Sequence, residues 1–164
     1  PEQVSSAYVQ DRAHAELSVR TGGKWEDAAY KAEGFSFDEV TSFTSPAQLT
    51  DHSYFLRYEG PGWESDQMGY RLYLDWRNAI DVFVKTNDSV VLPEVGQDGY
   101  DSYHALSSWG GDALKVGKSL GVGALGRLIE NEAQGSSSQS VMHFQHVENT
   151  HYQLVSNSQL RAEF

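Results

Sequence analysis

The chain has no cysteine among its 164 residues. That excludes a disulfide framework and a thiolate metal site, and it suits the cytoplasm and a bacterial periplasm alike. Long apolar runs are also missing: no stretch approaches the roughly 20 residues of a membrane-spanning helix. Basic residues are scarce. Against 12 Lys and Arg stand 23 Asp and Glu, a formal net charge of -11. A nucleic-acid partner wants a basic face, and an anionic membrane surface attracts basic clusters, so neither partner is expected. Charged residues of both signs make up only 21% of the chain and aromatics 12%. That balance favours a β-rich globular protein over a coiled coil or a disordered chain.

Strand-like alternation is what the chain has in place of these. From Gly69 to Phe83, Tyr70, Leu72, Leu74 and Trp76 alternate with Arg71, Tyr73, Asp75 and Arg77. Successive strand side chains leave on opposite faces, so the pattern predicts one apolar and one polar face. The polar face admits two readings. Its arginines, forked donors suited to carboxylate or sulfate, can hold an acidic sugar, or the face can be a second buried layer stitched by Arg–Asp pairs.

Further strands are expected over Asp11 to Arg20, His52 to Glu59 and Ala79 to Lys85, with a tight reversal at Arg77-Asn78. Gly60 to Asp66 reads as a loop carrying Trp63 and Glu64 at an exposed tip. Gln97 to Ser119 reads as a long ordered loop, and long irregular segments in compact domains are often functional. Gly121 to Glu130 is expected as a strand, Ala133 to Ser140 as a polar tip, and the rest as a closing meander. The sum is an all-β, antiparallel β-sandwich with long loops and little helix. Residues 1–164 are expected to form one domain. The start at Pro1 and the alternating run Gln159 to Phe164, which has no closing turn, suggest part of a longer fold, whose open sheet edge invites self-association.

Two strings, RYEGPGWESDQMGYRLYLDWRNAIDVF and VGQDGYDSYHALSSWGGDALKVGKSLGVGALG, resemble a domain-of-unknown-function family encoded beside polysaccharide-degradation genes in Gram-negative bacteria. That family is similar to supersandwich proteins of the galactose-mutarotase type. The resemblance covers about Ala13 to Phe164. It implies a periplasmic or secreted protein that handles uronate-containing oligosaccharides, and it supplies no catalytic set.

The candidate chemistry follows from the residues. Proton abstraction beside a uronate carboxylate needs a cation on that carboxylate and a base for the proton. Arg57, Arg71 and Arg77 are candidates for the first; Tyr73, Tyr103 and His104 for the second. The reaction would be that of a lyase, a dehydratase or an epimerase. Trp63, Trp109, Asp75 and Lys115 complete the expected substrate contacts, with Lys118 as a further cation. The alternatives are a non-catalytic carbohydrate-binding protein and a structural or assembly piece. No cofactor is expected, although Asp98, Asp101 and Asp112 are candidate calcium ligands outside any EF-hand spacing. His143 and His146 fall on opposite strand faces, a poor arrangement for a shared zinc. The Val116-Gly117-Lys118-Ser119 string lacks the earlier glycine of a phosphate loop, where Asp112 stands instead.

Overall fold

The structure is a computed structural model that describes residues 11–99, 103–117, 119–133, 136–144 and 146–164. Strand accounts for 43% of it and helix for 4%, so the protein is all-β, antiparallel and sandwich-like. The helical turns among the described residues are two three-residue 3-10 turns, Arg57–Glu59 and Leu92–Glu94. No helix among them is long and apolar enough to cross a membrane. Tyr100, Asp101, Ser102 and Lys118 lie outside the described residues, which removes one candidate calcium ligand and one candidate cation from view.

The strands in chain order are β1 (Ala13–Glu16), β2 (Ser18–Arg20), β3 (Gly23–Glu26), β4 (Ala29–Ala32), β5 (Phe37–Glu39), β6 (Ser42–Thr44), β7 (Gly62–Ser65) and β8 (Met68–Leu72). They continue with β9 (Ile80–Lys85), β10 (Gly110–Asp112), β11 (Gly126–Ala133), β12 (Ser136–His143), β13 (His151–Gln153), β14 (Ser156–Asn157) and β15 (Ala162–Glu163). A five-stranded sheet in the order β1-β7-β8-β9-β10 is the centre, and five two-stranded ribbons surround it. All pairings are antiparallel.

Several expectations are corrected. The alternation of the Gly69 to Phe83 stretch is strand only as far as Leu72; Tyr73 to Ala79 form the bend of the β8–β9 hairpin, closed by Tyr73 N–H donating to the Ala79 carbonyl (3.0 Å). Asp75 seats the reversal, since its Oδ1 accepts the Arg77 backbone N–H at 2.8 Å, an Asx turn. The reversal at Arg77-Asn78 is therefore found, with Asn78 at φ 41°. His52 to Glu59 is not a strand. Positive φ at His52, Tyr54, Tyr58 and Glu59 bends it repeatedly, and its pairing among the described residues is an isolated bridge of Leu56 with Val19. Gly60 to Asp66, expected as a loop, contains β7. Pairing on both sides, with β1 and β8, outweighs the local Gly-Pro-Gly signal. The Gly121 strand begins only at Gly126, and the Ser-rich tip is already strand from Ser136. The Asp11 to Arg20 strand is interrupted at Leu17.

Register decides what each face of the central sheet carries. Residues directly opposite share a face. Glu16 lies opposite Gly62, Gly62 opposite Arg71, and Arg71 opposite Asp81. Glu64 lies opposite Gly69, Gly69 opposite Phe83, and Phe83 opposite Asp112. One face thus carries Glu16, Glu64, Arg71, Asp81 and Asp112. It is the buried one: Glu16, Glu64, Arg71 and Asp81 are all under 5% exposed. A cluster of Tyr58, Phe83, Val91, Leu92, Val95 and Tyr103 packs in the same region. Gly62 is required there, because a Cβ on it would stand 2.7 Å from the Tyr58 hydroxyl. The opposite face, with Trp63, Tyr70, Leu72, Ile80 and Val82, is only half-buried. A second apolar cluster, built on Leu17, Leu56, Leu74 and Tyr152, joins the ribbons.

Candidate functional site

Arg71 projects from β8 into the buried face and is 0% exposed. Its Nη2 donates to Asp81 Oδ2 (2.8 Å), to Asp112 Oδ2 (3.1 Å) and to the Tyr73 hydroxyl. Its Nη1 donates to the Tyr103 hydroxyl (3.0 Å), the Tyr58 carbonyl (3.3 Å) and Glu59 Oε2 (3.4 Å). Burial opposes its charge, but the surrounding phenols and carboxylates outweigh burial and raise its pKa. Tyr73 passes the chain on, donating its O–H to Asp81 Oδ2 at 2.9 Å.

The carboxylates around Arg71 differ in proton affinity. Burial pushes Asp81 up, yet the charge and hydrogen bond of Arg71 prevail and hold it below the usual range. Asp112 goes the other way: burial, then the nearby charge of Asp81, raise it despite Arg71. Two carboxyls driven apart in this way are a pattern of acid–base sites and of structural ion networks alike. Burial raises both phenols far above their ordinary value. Tyr73 and Tyr103 are thereby held protonated, as hydrogen-bonding groups and poor bases.

Arg77 forms the outer layer. Its Nε donates to both oxygens of Asp75 (2.9 and 3.0 Å), and its Nη2 donates to Asp75, to Glu59 Oε1 (2.6 Å) and lies 3.1 Å from Asp51 Oδ1. Glu59 therefore bridges the two arginines, one oxygen to each. The Tyr73 ring lies against both guanidiniums, 4.4 Å from that of Arg71 and 3.8 Å from that of Arg77. Unlike Arg71, Arg77 keeps 19% of its side chain exposed, and among the described residues nothing accepts a hydrogen bond from its Nη1. Asp51, His52 and Glu59 bring ligand atoms within 4.8 Å of one another. Arg77 already supplies the positive charge that Asp51 and Glu59 would offer a cation.

The remaining candidates are scattered. Arg57 is buried in a separate centre, donating to Glu16 and to the carbonyls of Leu92 (3.2 Å), Pro93 (2.7 Å) and Val95 (3.3 Å). Arg57 and Arg71 thus have the geometry of a stitched buried layer. Trp63 is not at an exposed tip. It lies on the other face of the sheet, stacked on Tyr70 at 5.5 Å, while Glu64 beside it is buried against Lys85. Trp109 packs edge-on to Phe83 at 6.0 Å. His104 is exposed, its ring 4.7 Å from that of Tyr103. Lys115 is exposed. Asp112 uses its carboxylate on Arg71 and the Leu114 N–H (3.1 Å), and Asp98 is exposed in a different loop.

Arg77 and Tyr73 reach a cleft of about 210 Å³, walled also by Trp76, Val116, Leu120 and His143. The Trp76 and His143 rings meet edge to face at 5.8 Å. Sequence reasoning missed both. Trp76 was placed on an apolar strand face, and His143 was weighed only as a metal ligand. The one signal for Trp76 was its position beside a tight reversal, where a large ring has no strand to lie on. Behind Trp76 is a larger cavity of about 750 Å³, which Asp75 also lines.

Residues 2–164 match the family described as a domain of unknown function, DUF4861, and the chain belongs to that family. No curated protein and no solved structure matches it.

Proposed function

We propose that this member of the DUF4861 family handles acidic carbohydrate, taking a uronate-containing saccharide in the cleft walled by Tyr73, Trp76, Arg77 and His143. The observation that carries the reading is the placement of Arg77: a guanidinium fixed by Asp75 and Glu59, with Nη1 unengaged among the described residues, beside the indole of Trp76. A pyranose face stacks on an aromatic ring while its carboxylate accepts from the arginine. Arg77 is already shared by three carboxylates, those of Asp75, Glu59 and Asp51, so the cleft holds no surplus positive charge. Recognition is then by a directed hydrogen bond more than by the field, and affinity depends little on salt. The resemblance to proteins encoded beside polysaccharide-degradation genes, and the periplasmic or secreted setting it implies, agree with this reading.

Calorimetric titration with a uronate and its neutral counterpart, with tryptophan fluorescence followed in parallel, tests it. A charge-assisted hydrogen bond contributes about 1.5–3 kcal/mol, so the uronate should bind at least tenfold more tightly. Arg77→Lys keeps a cation for Asp75 but removes the fork; it should abolish the discrimination, and Trp76→Ala should abolish binding. Equal affinity for acid and neutral sugar, or a Trp76 variant that binds normally, would overturn the proposal.

A second reading is catalytic and rests on His143, which lines the same cleft. Its Nε2 donates to the Ser119 carbonyl at 2.7 Å, which puts the ring lone pair on Nδ1; that atom is shielded from water, so this reading requires a side-chain movement that opens it to the cleft. In an elimination, that nitrogen takes the proton from the carbon next to the carboxylate. The C–O bond of the leaving group then breaks with its electron pair, and the departing oxygen takes a proton from solvent water. The conjugated product absorbs in the ultraviolet. Uronate oligosaccharides that bind but give no absorbance and no new mass leave the binding reading alone standing.

A further inference from the structure

The cleft at Arg77 is small. At about 210 Å³ it falls below the roughly 300–1,000 Å³ typical of small-molecule sites, so it accommodates one sugar ring at most. The larger cavity, about 750 Å³, shares Trp76 with it as a common wall. Their linings differ in chemistry. Arg77 carries the only full charge among the described residues lining the small cleft. Among the described residues the large cavity is lined by Asp27, Asp75, Glu148 and His146 and by no lysine or arginine; Asp75 is already paired with Arg77, so Asp27 and Glu148 carry its negative charge. Gln48 and Thr50, with an amide and a hydroxyl side chain, also line it.

From this we infer that Trp76 divides an extended saccharide site into two subsites of opposite preference: an acidic sugar at Arg77, and a neutral, hydroxyl-rich sugar in the large cavity. The inference rests on the proposed carbohydrate reading and makes it specific. A second uronate would bring its carboxylate to those of Asp27 and Glu148 and be repelled; a neutral pyranose offers hydroxyl donors to those carboxylates and hydroxyls to Gln48 and Thr50. The preferred ligand is therefore a mixed oligosaccharide in which a uronate is joined to a neutral hexose, and a homopolymer of uronate is disfavoured.

Three probes decide it: a monouronate, a diuronide, and a disaccharide of one uronate and one neutral hexose. Calorimetry on the full chain should show the mixed disaccharide binding about tenfold more tightly than the monouronate, and the diuronide no more tightly than the monouronate. Asp27 and Glu148 are exposed, and Asn tolerates the positive φ of Asp27 (53°), so the double variant Asp27→Asn with Glu148→Lys should fold normally. It should reverse the order of the two disaccharides. If the monouronate binds through Arg77 but the neutral unit adds nothing, or the double variant leaves the order intact, the two-subsite inference fails alone. If none of the three binds, the carbohydrate reading fails with it.

Discussion

Replacing Arg71 by methionine separates a buried ionic layer from a hydrated one. In the wild type the guanidinium serves Asp81, Asp112 and Glu59 and the phenols of Tyr73 and Tyr103. These partners do not suffer equally when it is removed. Glu59 keeps Arg77. Asp112 already has a raised pKa, so it takes up a proton readily. Asp81 retains Tyr73 and the Val82 N–H (2.9 Å), but its lowered pKa depends on the charge of Arg71. The loss thus amounts to about one stranded buried charge, roughly 3–5 kcal/mol. For a chain of this length about 1 kcal/mol shifts the melting temperature by roughly 2–4 °C, so a fall of about 6–20 °C is expected in thermal melts followed by near-ultraviolet dichroism. The double variant Arg71→Met with Asp81→Asn removes the stranded charge and should recover at least half of the loss. A single variant within about 1 kcal/mol of the wild type would mean that water reaches the cluster, and the buried-layer account would be wrong.

Other outcomes follow from the same geometry. Arg77→Ala strands Asp75, which is 4% exposed; chemical denaturation should show a loss approaching about 3 kcal/mol, reduced because Arg77 itself is partly solvated. Asp112→Asn should be neutral or stabilising at pH 7, since burial and Asp81 both disfavour the ionised form that neutral pH imposes. Gly62→Ala sets a methyl group against Tyr58 and Leu92 (2.7 and 3.0 Å) and should cost about 1–3 kcal/mol. The pair of His14 and Glu16 (3.3 Å) sets a pH window. Burial opposes the charged imidazole but Glu16 raises it, so its contribution is full below the ordinary His value and is lost as pH rises through the raised one. Glu16 is lowered despite its burial, so its contribution is present above the ordinary Glu value and is lost as pH falls through the lowered one. Stability from this pair peaks between the two, and His14→Asn should flatten the decline on the alkaline side in melts across pH.

The fold class and the hairpin reversal were legible because they rest on local signals: alternation, β-branched and aromatic content, and an Asp-x-Arg-Asn turn. Which strands existed was less so. His52 to Glu59 alternates as well as β9 does, but pairing partners lie far away in the chain, and alternation does not report them. β7 carries Pro61 and two glycines in its neighbourhood, yet it lies between β1 and β8 and is among the best-paired strands in the sheet.

The site shows the same limit more sharply. Arg71 and Arg77 look equivalent in sequence, two cations on one side of one alternating run. Their fates differ because the strand ends between them. Arg71 is still on β8, where register sets Asp81 directly opposite and the packed loops shut water out. Arg77 lies in the bend itself, partly exposed, and among the described residues one of its nitrogens is left over. The buried arginine cannot take a ligand without leaving carboxylates stranded. Through Glu59 and Tyr73, however, it fixes the position of Arg77, the arginine we propose as the ligand donor. A charged layer that costs desolvation in the core thus holds a directed donor still at the cleft, and rigidity of that kind is what the proposed recognition of a carboxylate by geometry needs.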